Sequence, residues 1–174
     1  RDPRDGAAGG AGGRIGGVRR LTPFFHLLDL FDQYEAHVTF FNIGKSVKRW
    51  PDLVRECASR GHYVADHTWD HASLEGMSHE DFINEVERTR QAILDAAGGS
   101  LNPDHTVRYV RPPYGATDDN TRQYAAELSM AVVLWNVDTQ DWRRPGTQAI
   151  ANHLLSHAKP GAIILMHLHS NRPR

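Results

Sequence analysis

A single cysteine, Cys57, is all that the 174 residues contain, so no disulfide can form within the chain and its compartment cannot be read from thiols. Charge of one sign is lacking too. The formal net charge is −1, which gives no strong pull toward nucleic acid or an anionic membrane surface. No apolar run approaches the roughly 20 residues of a membrane span. The first residues carry neither a Met nor the basic-then-apolar pattern of a signal peptide. General disorder is also excluded, because apolar residues make up 40% of the chain, enough for one domain with a real core. What the chain has in excess is histidine, eleven in all, which suits a metal-binding or pH-sensitive protein.

Residues 1–20 show no period of 2 or 3.6, and seven of the fifteen glycines lie before Val18. They read as a flexible Gly/Ala/Arg-rich arm ahead of a domain over 21–174. An Arg/Gly arm can touch RNA, but repeated Arg-Gly-Gly units and interleaved aromatics are missing, and the plain reading is preferred.

From Leu21 the pattern becomes regular. Thr22-Pro23 predicts a helix start, an N-cap followed by Pro in the first turn, with Phe24, Leu27, Leu28 and Phe31 as its apolar stripe. A strand over 37–41 precedes a helix over about 46–60, with Pro51 opening its second part and Gly61 as its stop. A short β-branched and aromatic strand then runs from His62 into His67. Ser78 to Ala97 is the clearest helix. Ser78 and Asp81 resemble a capping box, and Phe82, Val86, Ile93 and Leu94 share one face. A strand over 107–110, a helix over about 118–128, a strand over 131–137, a helix from Thr147 to about His157 and a strand over 161–166 complete the series. Five strands alternating with five helices require a parallel sheet, open or closed as a (β/α) barrel. The strands are apolar enough to be covered on both faces.

The polar motifs each fall just past a strand, and in a parallel sheet those ends gather on one rim. The most telling is Asp66-His67-Thr68-Trp69-Asp70-His71. Two imidazoles four residues apart, each preceded by a carboxylate, can grip one Zn²⁺-like ion. Arg111 is followed by Pro112-Pro113-Tyr114, a rigid turn that aims it. Asp138 and Asp141 flank a polar turn, and one of the two is expected to cap the next helix. Trp142 in that turn suits a cleft lining, and His167 follows five apolar residues. The remaining histidines, His26, His37, His62, His79, His105, His153, His157 and His169, read as surface or packing residues.

Taken in order, Thr39-Phe40-Phe41-Asn42-Ile43-Gly44, His67-Thr68-Trp69-Asp70-His71, Arg111-Pro112-Pro113-Tyr114-Gly115, Asp138-Thr139-Gln140-Asp141-Trp142 and Leu165-Met166-His167 resemble the NodB-type polysaccharide deacetylases, carbohydrate esterase family 4. The likeness runs from about Leu21 to His167. It implies a distorted (β/α) barrel of parallel strands, incomplete at both ends, and a metal-dependent hydrolase that removes N- or O-acetyl groups from a cell-wall or plant polysaccharide. It also implies a set of roles. His67 and His71 would hold a divalent metal, Zn²⁺ in first place and Co²⁺ as an alternative. His167 would protonate the leaving group, with Asp141 beside it to favour its charged form. The Tyr114 backbone N–H would help hold the oxyanion, Arg111 would orient the general base, and Trp142, Leu165 and Pro113 would wall the acetyl pocket. A monomer acting on acetylated glycan, secreted or at the cell envelope, follows from the same likeness.

Two departures stand out. The family's first motif, Thr-Phe-Asp-Asp-Gly-Pro, supplies the general base and a third metal ligand, and is expected shortly before Leu21. Gly12-Gly13-Arg14-Ile15-Gly16-Gly17 stands there, with Asp2 and Asp5 the only acids upstream. The sequence also ends seven residues after His167, short of the family's closing helix and strand. The expectation is an impaired deacetylase. The alternatives are an inactive glycan-binding remnant or fragment of that fold, or an unrelated metal hydrolase using Asp66 or Asp70.

Overall fold

A computed structural model of the chain describes residues 18–101 and 107–168, the side chains of 18–22 excepted. The chain divides into two compact units, Arg1–His37 and Val38–Arg174. In the first, α1 spans Val18–Gln33. Thr22 and Pro23 were expected to open this helix. It starts a turn earlier instead, and Pro23 lies inside it, where a proline gives up one backbone hydrogen bond. The expected arm over 1–20 lies outside the described residues apart from 18–20, which belong to α1. Asp2, Asp5, His105 and His169 also lie outside them.

The second unit runs β1 (Thr39–Asn42), α2 (Gly44–Arg49), α3 (Pro51–Ser59), β2 (Tyr63–Asp66), α4 (His79–Ala97), β3 (Tyr109–Val110), α5 (Asp119–Glu127), β4 (Ala131–Val132), β5 (Val137–Asp138), α6 (Thr147–His157) and β6 (Ile164–Leu165). Every pairing is parallel. One sheet has the order β1-β2-β3-β4, and a second pairs β5 with β6. The register sets Asn42 opposite Asp66, Asp66 opposite Val110, and Asp138 opposite Leu165. The carboxyl ends of β1, β2 and β3 are therefore level, and so are those of β5 and β6. This is an α/β fold of parallel strands in an incomplete, distorted barrel.

Two expected elements are divided. The helix over 46–60 is broken at Trp50, whose φ of −134° and ψ of 56° leave the helical region. The cause is local: Pro51 disfavours helical geometry in the residue before it, yet is well placed as the first residue of α3. The strand over 131–137 becomes β4 and β5 in different sheets. Between them the carbonyls of Val133 and Leu134 accept hydrogen bonds from the Arg111 side chain, at 3.2 Å each.

The core forms where α4 packs on α2, α3, β2 and α5. Phe82, Val86 and Ile93 from α4, Val47 from α2, Val54 and Cys57 from α3, Val64 from β2 and Val110 from β3 are all buried. Leu94 is half-buried, and Thr89 takes a fully buried place on the same helix. Ser78 caps α4 by accepting the Asp81 N–H, as its sequence indicated. Burial on both faces holds for β2 but not for β1, which is half-exposed along its length. Nor does it hold for β6, whose Ile164 is exposed.

Candidate active site

The rim at the strand ends begins with a buttress. The His67 N–H donates to the Asn42 carbonyl at 3.0 Å, joining the ends of β1 and β2. The next two carbonyls, Thr68 and Trp69, accept the first two N–H groups of α2, those of Gly44 and Lys45, at 2.9 Å each. The histidine loop thus satisfies donors that every helix start leaves open. Only glycine fits at position 44, because a Cβ there would collide with the Trp69 ring and Thr89 Oγ1. Glu85 of α4 accepts the Trp69 N–H at 2.9 Å, and the Arg88 guanidinium lies 3.8 Å over the Trp69 ring.

Asp66 is not among the residues that line the cleft. It is fully buried. Its Oδ1 accepts the Thr68 N–H at 2.8 Å, and Oδ2 has no hydrogen-bond partner among the described residues. Burial raises its proton affinity well above the usual carboxylate range. Asp70 faces outward and pairs with Lys45 at 3.1 Å. These commitments remove the support for an unrelated hydrolase built on either acid.

His67 and His71 do come together, with ring centroids 4.9 Å apart and planes at 78°. His67 Nδ1 donates to the Arg111 carbonyl at 2.6 Å. A carbonyl only accepts, so Nδ1 carries the proton and Nε2 keeps a bare lone pair. Burial pushes His67 down to about 4, which leaves the ring neutral near pH 7. Burial also lowers His71, with His167 adding to the effect. His71 Nδ1 lies 3.2 Å from the Tyr114 hydroxyl, a contact that the linear sequence gave no reason to expect.

Across the same cleft, Asp141 and His167 form the expected pair. The ring Nδ1–H of His167 donates to one carboxylate oxygen at 2.8 Å, and its backbone N–H donates to the other at 2.6 Å. Neither acid caps the next helix, as one of them was expected to: the N-cap of α6 is Gly146, and Asp138 Oδ1 accepts the Gln140 N–H at 2.9 Å within the turn after β5. Thr139 ties β5 to β6 through a 2.8 Å hydrogen bond to the Leu165 carbonyl. Left-handed backbone at non-glycine residues gathers along this rim, at Thr68 (φ 64°), His71 (70°), Tyr114 (63°) and Gln140 (51°). Such strain persists where surrounding structure over-determines the loop, and it often marks a functional site.

The cleft has a volume of about 880 Å³ and is lined by His67, His71, Arg111, Tyr114, Trp142, Leu165 and His167, among others. Pro113 does not line it. Pro113 is buried, and Pro112 takes the cleft position. The Arg111 side chain bonds the Val133 and Leu134 carbonyls through Nε–H and Nη2–H. Two imidazoles with available lone pairs suit one divalent ion, but among the described residues no group of three or more His, Cys, Asp or Glu side chains could hold a metal. Of the other histidines, His62 packs edge-to-face on Phe40 at 5.4 Å and His79 pairs with Glu127 at 2.8 Å.

The model of the polysaccharide deacetylase family matches residues 21–133. A peptidoglycan-N-acetylglucosamine deacetylase of Bacillus cereus is 30% identical over 141 residues, covering 81% of this chain and 49% of the relative. A chitooligosaccharide deacetylase of Sinorhizobium fredii is 37% identical over 141 residues, covering 81% of this chain and 63% of the relative. The chain thus spans 49% and 63% of the lengths of these two relatives. Among solved structures, a family 4 carbohydrate esterase from Streptomyces lividans in complex with acetate matches with a TM-score of 0.74 at 34% identity, over 83% of this chain and 72% of that one. A CE4 family pseudoenzyme from Bacillus anthracis matches with a TM-score of 0.77 at 25% identity, over 85% and 50%.

Proposed function

Because this chain belongs to the polysaccharide deacetylase family, we propose that it is a metal-dependent deacetylase of an acetylated glycan, impaired for want of a general base and a third metal ligand. The observation that carries this reading is that His167, hydrogen-bonded to the buried Asp141, lines the same cleft as the two adjacent imidazoles of His67 and His71. Its substrate is an N-acetylated chitin- or peptidoglycan-type chain, or an O-acetylated xylan, and it works as a monomer at the cell envelope or outside it.

In this reading His67 and His71 hold one divalent ion, Zn²⁺ before Co²⁺, through ring nitrogens. When bound, such an ion polarises the acetyl carbonyl and makes water more acidic. The chain's own residues do the rest. His167 gives its proton to the leaving nitrogen or oxygen, and Asp141 holds the ring in place for that transfer. The Tyr114 backbone N–H stabilises the negative oxygen of the tetrahedral intermediate. Trp142 and Leu165 wall the acetyl group.

A second reading, a glycan-binding remnant without catalysis, draws on the lack of a third ligating acid near His67 and His71 among the described residues. The likeness to a pseudoenzyme of the same fold points the same way. One assay separates the two: acetate release from acetylated chito- and xylo-oligosaccharides with added Zn²⁺ or Co²⁺. It is run on this chain and on a version whose residues before Val18 are replaced by a strand bearing Asp-Asp-Gly-Pro. The repaired chain is expected to be faster by at least about tenfold, on the scale of a lost general base. No release from either supports the remnant. Equal, vigorous rates from both would show that another residue serves as base.

A further inference from the structure

We propose that His153 and His157 form a metal site of their own on α6, one that takes an ion of the Cu²⁺ or Zn²⁺ class and clips the last turns of that helix. The two stand four residues apart within Thr147–His157, a spacing that puts side chains on one helix face, one turn above the other. Their rings lie together, with centroids 4.2 Å apart and planes at 22°. Two nitrogens that share a tetrahedral ion at about 2.0–2.1 Å are about 3.4 Å apart. Small side-chain rotations bring stacked rings to that separation. Neither histidine lines the cleft of His67 and His71.

His157 already has the support that a ligating histidine needs. Its Nδ1–H donates to the His153 carbonyl at 2.8 Å, and the Ser156 hydroxyl lies 3.0 Å from the same nitrogen. A carbonyl only accepts, so Nδ1 carries the proton and Nε2 keeps the lone pair that binds a metal. Ligating histidines almost always donate their second ring nitrogen in this way, which fixes the tautomer and the ring orientation. The acceptor here belongs to the other histidine of the pair, so one ring is anchored to the turn that carries the other. His153 is half-buried and lines a pocket of about 260 Å³, which leaves room for water at the remaining coordination positions. Among the described residues no third His, Cys, Asp or Glu completes the shell. The affinity is therefore modest and follows the Irving–Williams order, with Cu²⁺ above Zn²⁺. None of the 11 residues of α6 is buried, and an ion held across its last turns supplies a tie that core packing does not.

This site is independent of the chemistry proposed for the cleft, and its test keeps the two apart. The full chain, labelled with ¹⁵N-histidine, is titrated with Cu²⁺ and separately with Zn²⁺ at about pH 7.5, about one unit above the ordinary imidazole pKa. Cu²⁺ well below one equivalent should broaden the side-chain signals of His153 and His157 together, and Zn²⁺ should shift both saturably. Calorimetry in a His67→Asn/His71→Asn background takes the cleft pair out of the count. Cu²⁺ should bind there with a Kd on the order of 1–10 μM. His153→Gln or His157→Gln, each confirmed as folded by circular dichroism, should weaken that binding by at least about tenfold. With Zn²⁺ at about ten times its Kd, hydrogen exchange of the α6 amides should slow by about tenfold, the mass-action limit for an ion that binds only the closed turn. The titration of the unmutated chain needs no variant. A response from one of the two histidines without the other would overturn the proposal. So would Cu²⁺ affinity that stays within about threefold in either folded single variant, or α6 exchange that is unchanged in the Zn²⁺-loaded chain.

Discussion

Removing the Asp141 carboxylate tests the geometry of the cleft most directly. One oxygen accepts the His167 backbone N–H at 2.6 Å and the other accepts the ring Nδ1–H at 2.8 Å. The Asp141 side chain is 7% exposed and that of His167 39%. A hydrogen bond to a charged group contributes about 1.5–3 kcal/mol. Partial solvation of the ring puts its bond at the low end of that range. Asp141→Asn keeps one acceptor but turns an N–H₂ toward a remaining donor. It should destabilise the fold by about 2 kcal/mol, a fall in Tm of about 4–8 °C. His167→Ala removes the ring and keeps the backbone N–H. A double-mutant cycle in urea, run in chelator, should therefore isolate the ring bond as a coupling of about 1 kcal/mol. The part of the Asp141 loss that comes from the backbone bond should persist once the ring is gone. A coupling below about 0.3 kcal/mol would refute the pairing in solution. In the acetate assay either substitution should lower the rate by about 10²- to 10⁴-fold, the usual effect of losing a positioned acid. Full activity in Asp141→Asn would sink the catalytic role and leave the structural one standing.

Two further outcomes follow from the same geometry. Burial takes His67 from 6.5 to about 4, so the unfolded chain binds a proton there more readily than the folded one. Stability from this group is whole above about pH 6.5 and is lost as pH falls through about 4. The full difference is about 3 kcal/mol, and urea midpoints in chelator at pH 7 and 4.5 should fall less for His67→Asn than for the unmutated chain. Gly44→Ala forces a methyl against the Trp69 ring and Thr89 Oγ1. It should destabilise the fold by about 1–3 kcal/mol, the usual effect of overpacking, and an unchanged urea midpoint would show that the histidine loop is not held as described.

Much of this protein was readable from residue order alone. The period of α4 and its Ser78 cap, and the alternation of strands with helices, come from local preferences and from the need to bury one face. Those rules also require that motifs far apart in sequence share one rim. Residue type and spacing therefore sufficed to nominate His67, His71, Arg111, Asp138, Asp141 and His167, while the family resemblance singled out Asp141 as the partner of His167. Other features depend on neighbours that no linear pattern encodes. Whether Asp138 or Asp141 meets His167 is fixed by the register of β5 against β6 and by the left-handed turn at Gln140. Pro112 rather than Pro113 faces the cleft because the Tyr114 turn buries the second proline. The tautomer of His67 is set by a carbonyl 44 residues away. The carbonyls that hold the Arg111 side chain are set by a sheet that divides at Val133 and Leu134. Sequence specifies which groups can bond. Only the packed chain, which allows each buried donor few acceptors, decides which of those bonds form.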